Sequence, residues 1–512
     1  MSTIRRQLLR RRKQRIKRRL VPRNWPEQPA PMLAASNVHY ELSDRDRGLA
    51  VGGIGAMHRL ARHVGLIEDL DEHVEVLKAH LPYHESDHVL NIAYNVLSGG
   101  QRLEDIELRR QDEVFLDALG AQRIPDPTTA GDFCRRFDRP DIESLQHAIN
   151  ESRLRVWQQQ PEEFFEEAVI EADGTLAPTK GECKEGADFN YKGEWSYHPL
   201  LISLANTHEP LFLDNRSGNR PSSEGAAARF DQALALCRRA GFRWVTFRGD
   251  TDFSQTQHLD RWDDEDRVRF VFGFDAKQNL IDRAETLKES AWTPLERPPK
   301  YEVQTKPRRR RTNAKEAKVV EREFKNIRLE GEHVAEFAYS PTLCRKTYRM
   351  IVLRKNLTIS KGEQRLFDDV RYFFYVTNDT AAPASQIVHE SNQRCRQEQL
   401  ISQLHGGVRA TSMPVDNLHS NGAYMVMAAL AWSLKAWFAL LLPERGRWQD
   451  KHRREKQIVL RMEFRTFLNV FMRVPAQLVR TGRRIVFRLL AWNPWQAVFL
   501  RGVDQLHGRL RL

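Results

Sequence analysis

Three carboxylates at the ends of predicted elements are the residues in this sequence best suited to chemistry. Asp173 ends a short apolar run, Asp250 follows the run "WVTF" at its carboxyl end, and Glu398 lies on a late predicted helix. Mg²⁺ prefers oxygen ligands and is usually held by a few carboxylates together with substrate phosphate. Two such ions about 4 Å apart can activate an attacking hydroxyl and stabilise a leaving oxygen. The pattern therefore predicts a site for two Mg²⁺ ions, for which Mn²⁺ could substitute.

A cation accompanies the third carboxylate. The segment "ASQIVHESNQRCRQEQLISQLHGGV" (384–408) predicts one helix, on which Arg394 and Glu398 are one turn apart and His405 lies two turns beyond Glu398 on the same stripe. A cation that clamps phosphate beside a metal-binding carboxylate would assist phosphoryl transfer. An ordinary surface ion pair has the same spacing, so the pair carries weight only together with the strand-end carboxylates.

The tripeptide at residues 248–250, Arg-Gly-Asp, could instead be an exposed adhesion loop. The four apolar or β-branched residues of "WVTF" favour a strand covered on both faces, as in a parallel sheet flanked by helices. Such sheets bind ligands at the carboxyl ends of their strands. The five cysteines are far apart, which argues against both a secreted disulfide-bearing protein and a structural zinc site. We therefore interpret Asp250 as a site residue.

The elements around these residues have a recognisable order. Three short runs predict strands, the last two of them in a hairpin: "EEAVIEADGT" (166–175), "YHPLLISLAN" (197–206) and "PLFLDN" (210–215). A helix with Ser223 at its start and Gly241 at its end follows, and then the strand before Asp250. Between residues 280 and 365, "HVAEFAYS" and "TYRMIVLRKNL" alternate like antiparallel strands. This order predicts an α/β protein with a ribonuclease H-like core and a β-rich insertion.

The net charge of +13 is concentrated at the two ends of the chain. Residues 1–23 carry eleven Lys or Arg and no acid, and residues 444–512 carry sixteen basic and five acidic residues. Clustered Lys and Arg side chains release counterions from a phosphate backbone, so nucleic acid is the favoured partner. A solvated charged tail is the alternative, and an organellar transit peptide is a less favoured one for the start of the chain.

Helical N-terminal and C-terminal regions flank the predicted core. The predicted parts are a basic arm (1–30), a helical DNA-binding region (31–160), the first part of the ribonuclease H-like core (161–279), the β-rich insertion (280–365), the second part of the core with the Glu398 helix (366–445) and a basic helical C-terminal region (446–512). The apolar run 423–442 contains Ser433 and Lys435, which predicts a buried helix rather than a membrane span.

Several blocks, taken in order, resemble the DDE transposases of bacterial insertion sequences. The similarity spans roughly residues 50 to 490, and the blocks are "IEADGT", "YKGEWSYHPL", "RSGN", "FRGDTDFS" and "NQRCRQEQLISQL". The most similar group is the one numbered 1380, in a superfamily whose third block reads Tyr-x2-Arg-x3-Glu-x6-Lys. The resemblance implies that Asp173, Asp250 and Glu398 are the catalytic, metal-binding triad and that Arg394 is the helix arginine.

Two residues depart from the family pattern. Ser391 stands at the Tyr position, and His405 stands at the Lys position, which the resemblance implies contacts phosphate. An imidazole is shorter than a Lys side chain and mostly neutral at pH 7. His405 could still serve by hydrogen bonding to phosphate. The alternatives are a catalytically inactive descendant that only binds DNA, and a ribonuclease H-like nuclease without strand transfer.

The resemblance also implies partners. Such enzymes cut at the terminal inverted repeats of their element and join its 3′ ends to target DNA, which implies double-stranded DNA, a homodimer on DNA, and a place at the bacterial nucleoid in the cytoplasm, without a membrane. Relatives with a β insertion can stack a Trp on a flipped base, for which Trp292 is a candidate, although core packing is the stronger interpretation. The expected phosphate contacts of the insertion are Arg308, Arg309, Arg310 and Arg311.

Overall fold

The computed structural model describes residues 3–20, 45–296, 328–360, 363–482 and 484–510, with a few isolated positions between 32 and 43. The chain is a mixed α/β protein divided into two units. The first unit comprises Met1–Phe164, Thr175–Arg220 and Gln399–Leu512, and the second comprises Phe165–Gly174 and Pro221–Glu398. Predicted residues Arg308 to Arg311 lie outside the described residues.

The described α-helices are α1 (Thr3–Leu20), α2 (Ile54–His63), α3 (Leu66–His73), α4 (Glu85–Leu97), α5 (Ile106–Arg110), α6 (Glu113–Leu119), α7 (Pro127–Cys134), α8 (Arg139–Trp157), α9 (Ala226–Ala240), α10 (Leu259–Asp264), α11 (Gln278–Glu285), α12 (Ala384–Asn392), α13 (Cys395–Ser402), α14 (Leu418–Leu440), α15 (Gln449–Arg461), α16 (Phe464–Phe467) and α17 (Gln496–Val503). The described strands are β1 (Gly48–Leu49), β2 (Glu167–Gly174), β3 (Ala177–Pro178), β4 (Asp188–Phe189), β5 (Trp195–Tyr197), β6 (Leu200–Leu204), β7 (Glu209–Asp214), β8 (Trp244–Gly249), β9 (Val268–Phe274), β10 (Thr293–Pro294), β11 (Arg328–Tyr339), β12 (Tyr348–Ser360), β13 (Glu363–Thr377), β14 (Ala476–Thr481) and β15 (Arg484–Leu489).

The second unit contains a large mixed sheet. Its strands follow the order β10, β11, β12, β13, β9, β8, β2. β8 pairs in parallel with β2 on one side and with β9 on the other, as its continuous apolar run predicts. β11 and β12 pair antiparallel, as their alternation predicts, and β13 continues the antiparallel part. The sheet therefore joins a parallel half, which carries Asp173 and Asp250, to a long antiparallel half.

Helix α9 precedes β8 and begins later than the sequence predicts. The sequence predicts Ser223 at its start, but the helix begins at Ala226 after Gly225, whose φ of 78° is left-handed, and no side chain caps it. At the other end the helix stops at Ala240 before Gly241, as predicted, and Gly241 has a left-handed φ of 102°. The Ser223 prediction is wrong because two further residues turn the chain before the helix starts.

The segment 384–408 is not one helix. It is divided into α12, α13 and a π-helical turn at Gln403–Gly407. Near the end of α12, the Asn392 side chain donates a hydrogen bond to the Val388 carbonyl oxygen over 2.7 Å. Such a side-chain bond competes with the helical backbone pattern. Arg394 therefore lies between two helices, and His405 lies in the π-helical turn rather than on a continuous α-helix.

The first unit contains the long helix α14, which packs with α4, α8, α15 and β7. By length and composition α14 could cross a membrane, but its apolar stretch is entirely buried in the structure. The Lys435 ammonium donates to the Leu460 carbonyl oxygen over 2.6 Å and lies 3.8 Å from the centre of the Trp432 ring. The helix is thus buried, as predicted. The predicted hairpin is also present, since β6 and β7 pair antiparallel.

A buried acid connects this hairpin to the helices. Glu209 is fully buried and accepts hydrogen bonds from Arg153 over 3.1 Å and from the indole nitrogens of Trp157 and Trp437 over 3.0 and 2.8 Å. Because Arg153 is also fully buried, removing Glu209 takes away the acid that pairs with the Arg153 charge in the core.

We expect Glu209→Ala to lower the free energy of unfolding by about 3–5 kcal/mol, because the Arg153 charge and two indole donors lose their acceptor. Urea denaturation of the variant measures this change. Glu113→Ala, which alters an exposed glutamate of the same unit, serves as the control and should change stability by less than about 0.5 kcal/mol. Equal stabilities for the two variants would contradict the role of Glu209.

Candidate active site

The register of two parallel strands brings Asp173 and Asp250 to neighbouring positions. Glu171 of β2 is the partner of Arg248 of β8. Side chains two residues apart on a strand share a face, so Asp173 follows Glu171 and Asp250 follows Arg248 at the same edge of the sheet. Asp250 lies just past β8, where its carboxylate accepts a hydrogen bond from the Asp252 backbone N–H over 3.0 Å. The carboxyl ends of β2 and β8 therefore form the base of the site.

A buried ion pair fixes this register. Two guanidinium nitrogens of Arg248 donate to Glu171 Oε1 over 2.9 and 2.7 Å, and the third donates to the Glu390 carbonyl oxygen over 2.7 Å. Both charged side chains are buried. Arg248 thus ties two strands to α12, the helix before Arg394. This ion pair was not predicted from the sequence. A Glu and an Arg, each two residues before a candidate carboxylate, could have indicated it.

We expect Arg248→Met to lower the free energy of unfolding by about 3–5 kcal/mol, because it removes the guanidinium that donates two hydrogen bonds to the buried Glu171 carboxylate. The double variant Glu171→Leu with Arg248→Met should recover most of that loss, since it removes both charges. Guanidinium unfolding of the parent, the single variant and the double variant gives the comparison. A double variant as unstable as the single one would show that the ion pair is not the cause.

Arg394 lies between the two strand-end carboxylates. Its Nη2 atom is 3.7 Å from Asp173 Oδ2 and 3.4 Å from Asp250 Oδ2. Glu398, on the first turn of α13, is exposed, and its backbone N–H donates to the Arg394 carbonyl oxygen over 3.4 Å. Arg394 therefore lies within 4 Å of two carboxylates, and Glu398 follows it one turn later on α13.

The carboxylates act on one another. Burial raises the pKa of the Asp173 carboxyl to about 7; the Arg394 guanidinium opposes this rise, and the negative charges of Asp250 and Glu398 add to it. A carboxyl that is hard to ionise beside two others favours the approach of a positive charge. The electrostatics therefore favour a cation at this place.

This shift predicts a pH dependence of stability. In the folded protein the pKa of Asp173 is about 7, above the ordinary value of 3.8. The contribution of Asp173 to the free energy of unfolding is therefore complete below pH 3.8 and is lost as the pH rises through 7. We expect the metal-free parent to lose about 4 kcal/mol over this range relative to Asp173→Asn, at about 1.4 kcal/mol per pKa unit. Denaturant unfolding in chelator between pH 4 and 8 measures it, and parallel curves for the two proteins would contradict it.

A cleft of about 410 Å³ opens beside these groups. Its lining includes Asp250, Arg394, Glu398 and buried Ser391, together with a stretch of β13 rich in aromatic residues, Tyr372, Phe373, Phe374 and Tyr375. Gly273 allows β9 to approach the turn at Asp250, because a Cβ there would lie 2.9 Å from the Thr251 backbone nitrogen. The cleft offers charged groups on one side and apolar surface on the other.

The donor set suits a hard divalent cation, since all three candidate ligands are carboxylates. The conformation is not that of a formed metal site, because no three His, Cys, Asp or Glu side chains in the described parts of the chain are grouped closely enough to hold an ion. Arg394 balances two of the carboxylates instead. The residues fit Mg²⁺ by their chemistry, and Arg394 would share their negative charge with it.

His405 belongs to the first unit. Its Nε2 atom is 2.7 Å from Thr175 Oγ1 and its Nδ1 atom is 2.6 Å from Thr411 Oγ1. Burial lowers the pKa of this imidazole. Both ring nitrogens therefore have hydroxyl partners in the structure, and a phosphate contact by His405 would replace one of them.

Trp292 packs within the second unit. Its side chain is 8% exposed, the Arg354 guanidinium lies over its ring at 4.3 Å, and the Tyr372 ring is 6.3 Å away. This environment matches the core-packing interpretation. A base could stack on the ring face that Arg354 covers only after Arg354 moves.

Comparisons with known proteins identify the family. A family model described as "Transposase DDE domain group 1" matches residues 49–510. No curated protein matches the chain. Among solved structures, the chain is similar to a piggyBac transposase in a synaptic complex with hairpin DNA, with 11% sequence identity, a TM-score of 0.37 and 83% of each chain covered. That similarity is weak, and the assignment depends on the family model, which spans most of the chain. The chain belongs to the transposase DDE domain group 1 family.

Proposed function

We propose that this transposase cuts DNA at the terminal inverted repeats of an insertion sequence and joins the 3′ ends to target DNA. The observation that supports the proposal is that Arg394 lies within 4 Å of both Asp173 and Asp250 at the carboxyl ends of β2 and β8, and that Glu398 lines the same cleft as Asp250 and Arg394. Carboxylates that share a divalent cation are the chemistry expected of phosphoryl transfer. The ordered sequence blocks support an element of the group numbered 1380, and the parallel strands support a ribonuclease H-like core.

Each residue has a role in this proposal. Asp173, Asp250 and Glu398 would hold two Mg²⁺ ions, or Mn²⁺ in their place, which activate the attacking hydroxyl and stabilise the leaving oxygen. Burial is the main cause of the raised pKa of Asp173, and a cation held beside this carboxyl would lower that pKa and favour the ionised form. Arg394 exchanges a carboxylate for a phosphate oxygen and orients the scissile group.

Double-stranded DNA is the proposed partner, and a dimer on DNA is the proposed working state, because joining two ends requires two sites. The test compares a plasmid that carries two terminal repeats with one that lacks them, in Mg²⁺ and in Mn²⁺. The proposal expects cleavage at the repeat ends of the first plasmid and recovery of joined products. Equal cutting of both plasmids without joining would identify a nuclease and contradict the proposal.

One observation favours a second candidate, a catalytically inactive DNA-binding descendant. Ser391 replaces the family Tyr, and His405, in place of the family Lys, has both nitrogens bonded to threonine hydroxyls. In the same assay this candidate would bind repeat DNA and leave it uncut with either metal.

A further inference from the structure

The two basic ends of the chain lie together within the first unit. The Arg5 guanidinium pairs with the Asp504 carboxylate over 2.8 Å. Arg12 donates hydrogen bonds to the Leu489 and Ala491 carbonyl oxygens, at the end of β15 and just beyond it. The N-terminal helix α1 is therefore attached to the C-terminal part of the chain, which the sequence alone presents as two separate charged ends.

Helix α1 is basic on every side. Its eighteen residues include ten Lys or Arg and no acid. The half-buried residues Leu9, Arg12 and Ile16 form one seam, and its other described side chains are exposed. Apart from Arg5, none of its basic side chains pairs with an acidic group of the described residues. The helix thus presents uncompensated positive charge around most of its circumference.

The hairpin β14–β15 extends this charge. It pairs with β1 through β14, and it carries Arg480, Arg484 and Arg488. Arg480 pairs with Asp117 over 3.1 Å, whereas Arg484 and Arg488 pair with no acid among the described residues. Residues 464–503 contain no Asp or Glu. No acidic residue of the hairpin itself therefore offsets the charge beside α1.

We propose that α1 and the β14–β15 hairpin form one surface that binds the phosphates of a single DNA duplex. The inference rests on the proposed function, which makes duplex DNA the partner, and adds the place where the duplex is held. At 1.5 Å per residue the helix is about 27 Å long, the length of about eight base pairs. The major groove admits an α-helix with phosphates on both sides, which suits a helix charged around most of its circumference. An anionic membrane instead requires an apolar face opposite the charged one.

The test is the salt dependence of binding to a 12-base-pair duplex by the full-length protein. The α1 variant removes four charges of the helix: Arg10→Gln, Arg11→Gln, Lys13→Gln and Arg15→Gln. The hairpin variant removes two charges of the hairpin: Arg484→Gln and Arg488→Gln. Gln keeps the helix propensity of Lys and Arg. The matched control removes four exposed arginines of the second unit: Arg238→Gln, Arg239→Gln, Arg243→Gln and Arg261→Gln.

The slope of log affinity against log salt is negative, and each lost phosphate contact makes it less steep by about 0.9. We expect a decrease of about 2 to 4 for the α1 variant and about 1 to 2 for the hairpin variant, with one duplex per chain in each case. The proposal would be overturned if the α1 and hairpin variants had the same slope as the control variant, or if each parent chain bound two duplexes. The proposal would also be overturned if the parent bound phosphatidylserine vesicles and the α1 variant lost that binding, while the two proteins bound DNA with the same salt dependence.

The outcome separates this inference from the proposed function. If the α1 variant keeps the parent slope and still cuts repeat ends, the surface is wrong and the proposed function stands. If the parent binds no duplex at low salt and cuts no repeat, both are wrong.

Discussion

Asp250→Asn is expected to lower the rate of repeat-end cleavage by about 10³-fold or more while leaving the affinity for repeat DNA within about twofold. Asn removes the negative charge that Asp250 would give to a divalent cation. Its side-chain oxygen can still accept the hydrogen bond from the Asp252 N–H, so the turn after β8 should keep its shape. Single-turnover cleavage of a labelled repeat end, with a gel-shift assay of the same DNA, measures both quantities.

The control is Asp252→Asn, which removes an exposed carboxylate two residues further along. It should change cleavage by less than about tenfold, because the site described here does not use that side chain. Full activity of Asp250→Asn, or equal loss in both variants, would remove Asp250 from the catalytic site.

Arg394→Gln is expected to lower the cleavage rate by about 10²-fold and, at the same time, to tighten Mn²⁺ binding several-fold. The guanidinium is the positive group nearest to Asp173 and Asp250, at 3.7 and 3.4 Å, so its removal leaves negative charge for the metal. The rate falls because a fork-shaped cation that orients phosphate is lost. Titration calorimetry with Mn²⁺ and single-turnover cleavage give the two readouts.

Arg394→Lys separates charge from geometry. It keeps the positive charge and loses the planar fork, so Mn²⁺ affinity should stay near that of the parent while cleavage remains impaired. Weaker Mn²⁺ binding by Arg394→Gln would show that Arg394 holds the carboxylates of Asp173 and Asp250 in position for the metal, rather than competing with the metal for their negative charge.

The sequence predicted the parts of the site that depend on local pattern. The continuous apolar run of β8 indicated a parallel strand, and its carboxyl end indicated where Asp250 would lie. The alternation of β11 and β12 likewise predicted their antiparallel pairing. Such features follow from the periodicity of side chains along one strand.

The remaining features depend on partners distant in sequence. The bond from Arg248 to Glu171 exists because of a register between two strands, and the hydroxyls of Thr175 and Thr411 reach His405 only in the folded chain. The break in the helix before Arg394 is accompanied by a side-chain hydrogen bond from Asn392 to the Val388 carbonyl oxygen, which helical periodicity alone does not reveal.

The most direct test of the proposed site is a structure of this protein with a repeat-end DNA and Mn²⁺, with anomalous scattering to locate the metal. We expect Mn²⁺ at coordination distance, about 2.1 Å, from carboxylate oxygens of Asp173, Asp250 and Glu398, with Arg394 on a phosphate oxygen. Mn²⁺ held by other residues, or with any one of these carboxylates turned away from it, would contradict the assignment of these three residues as metal ligands.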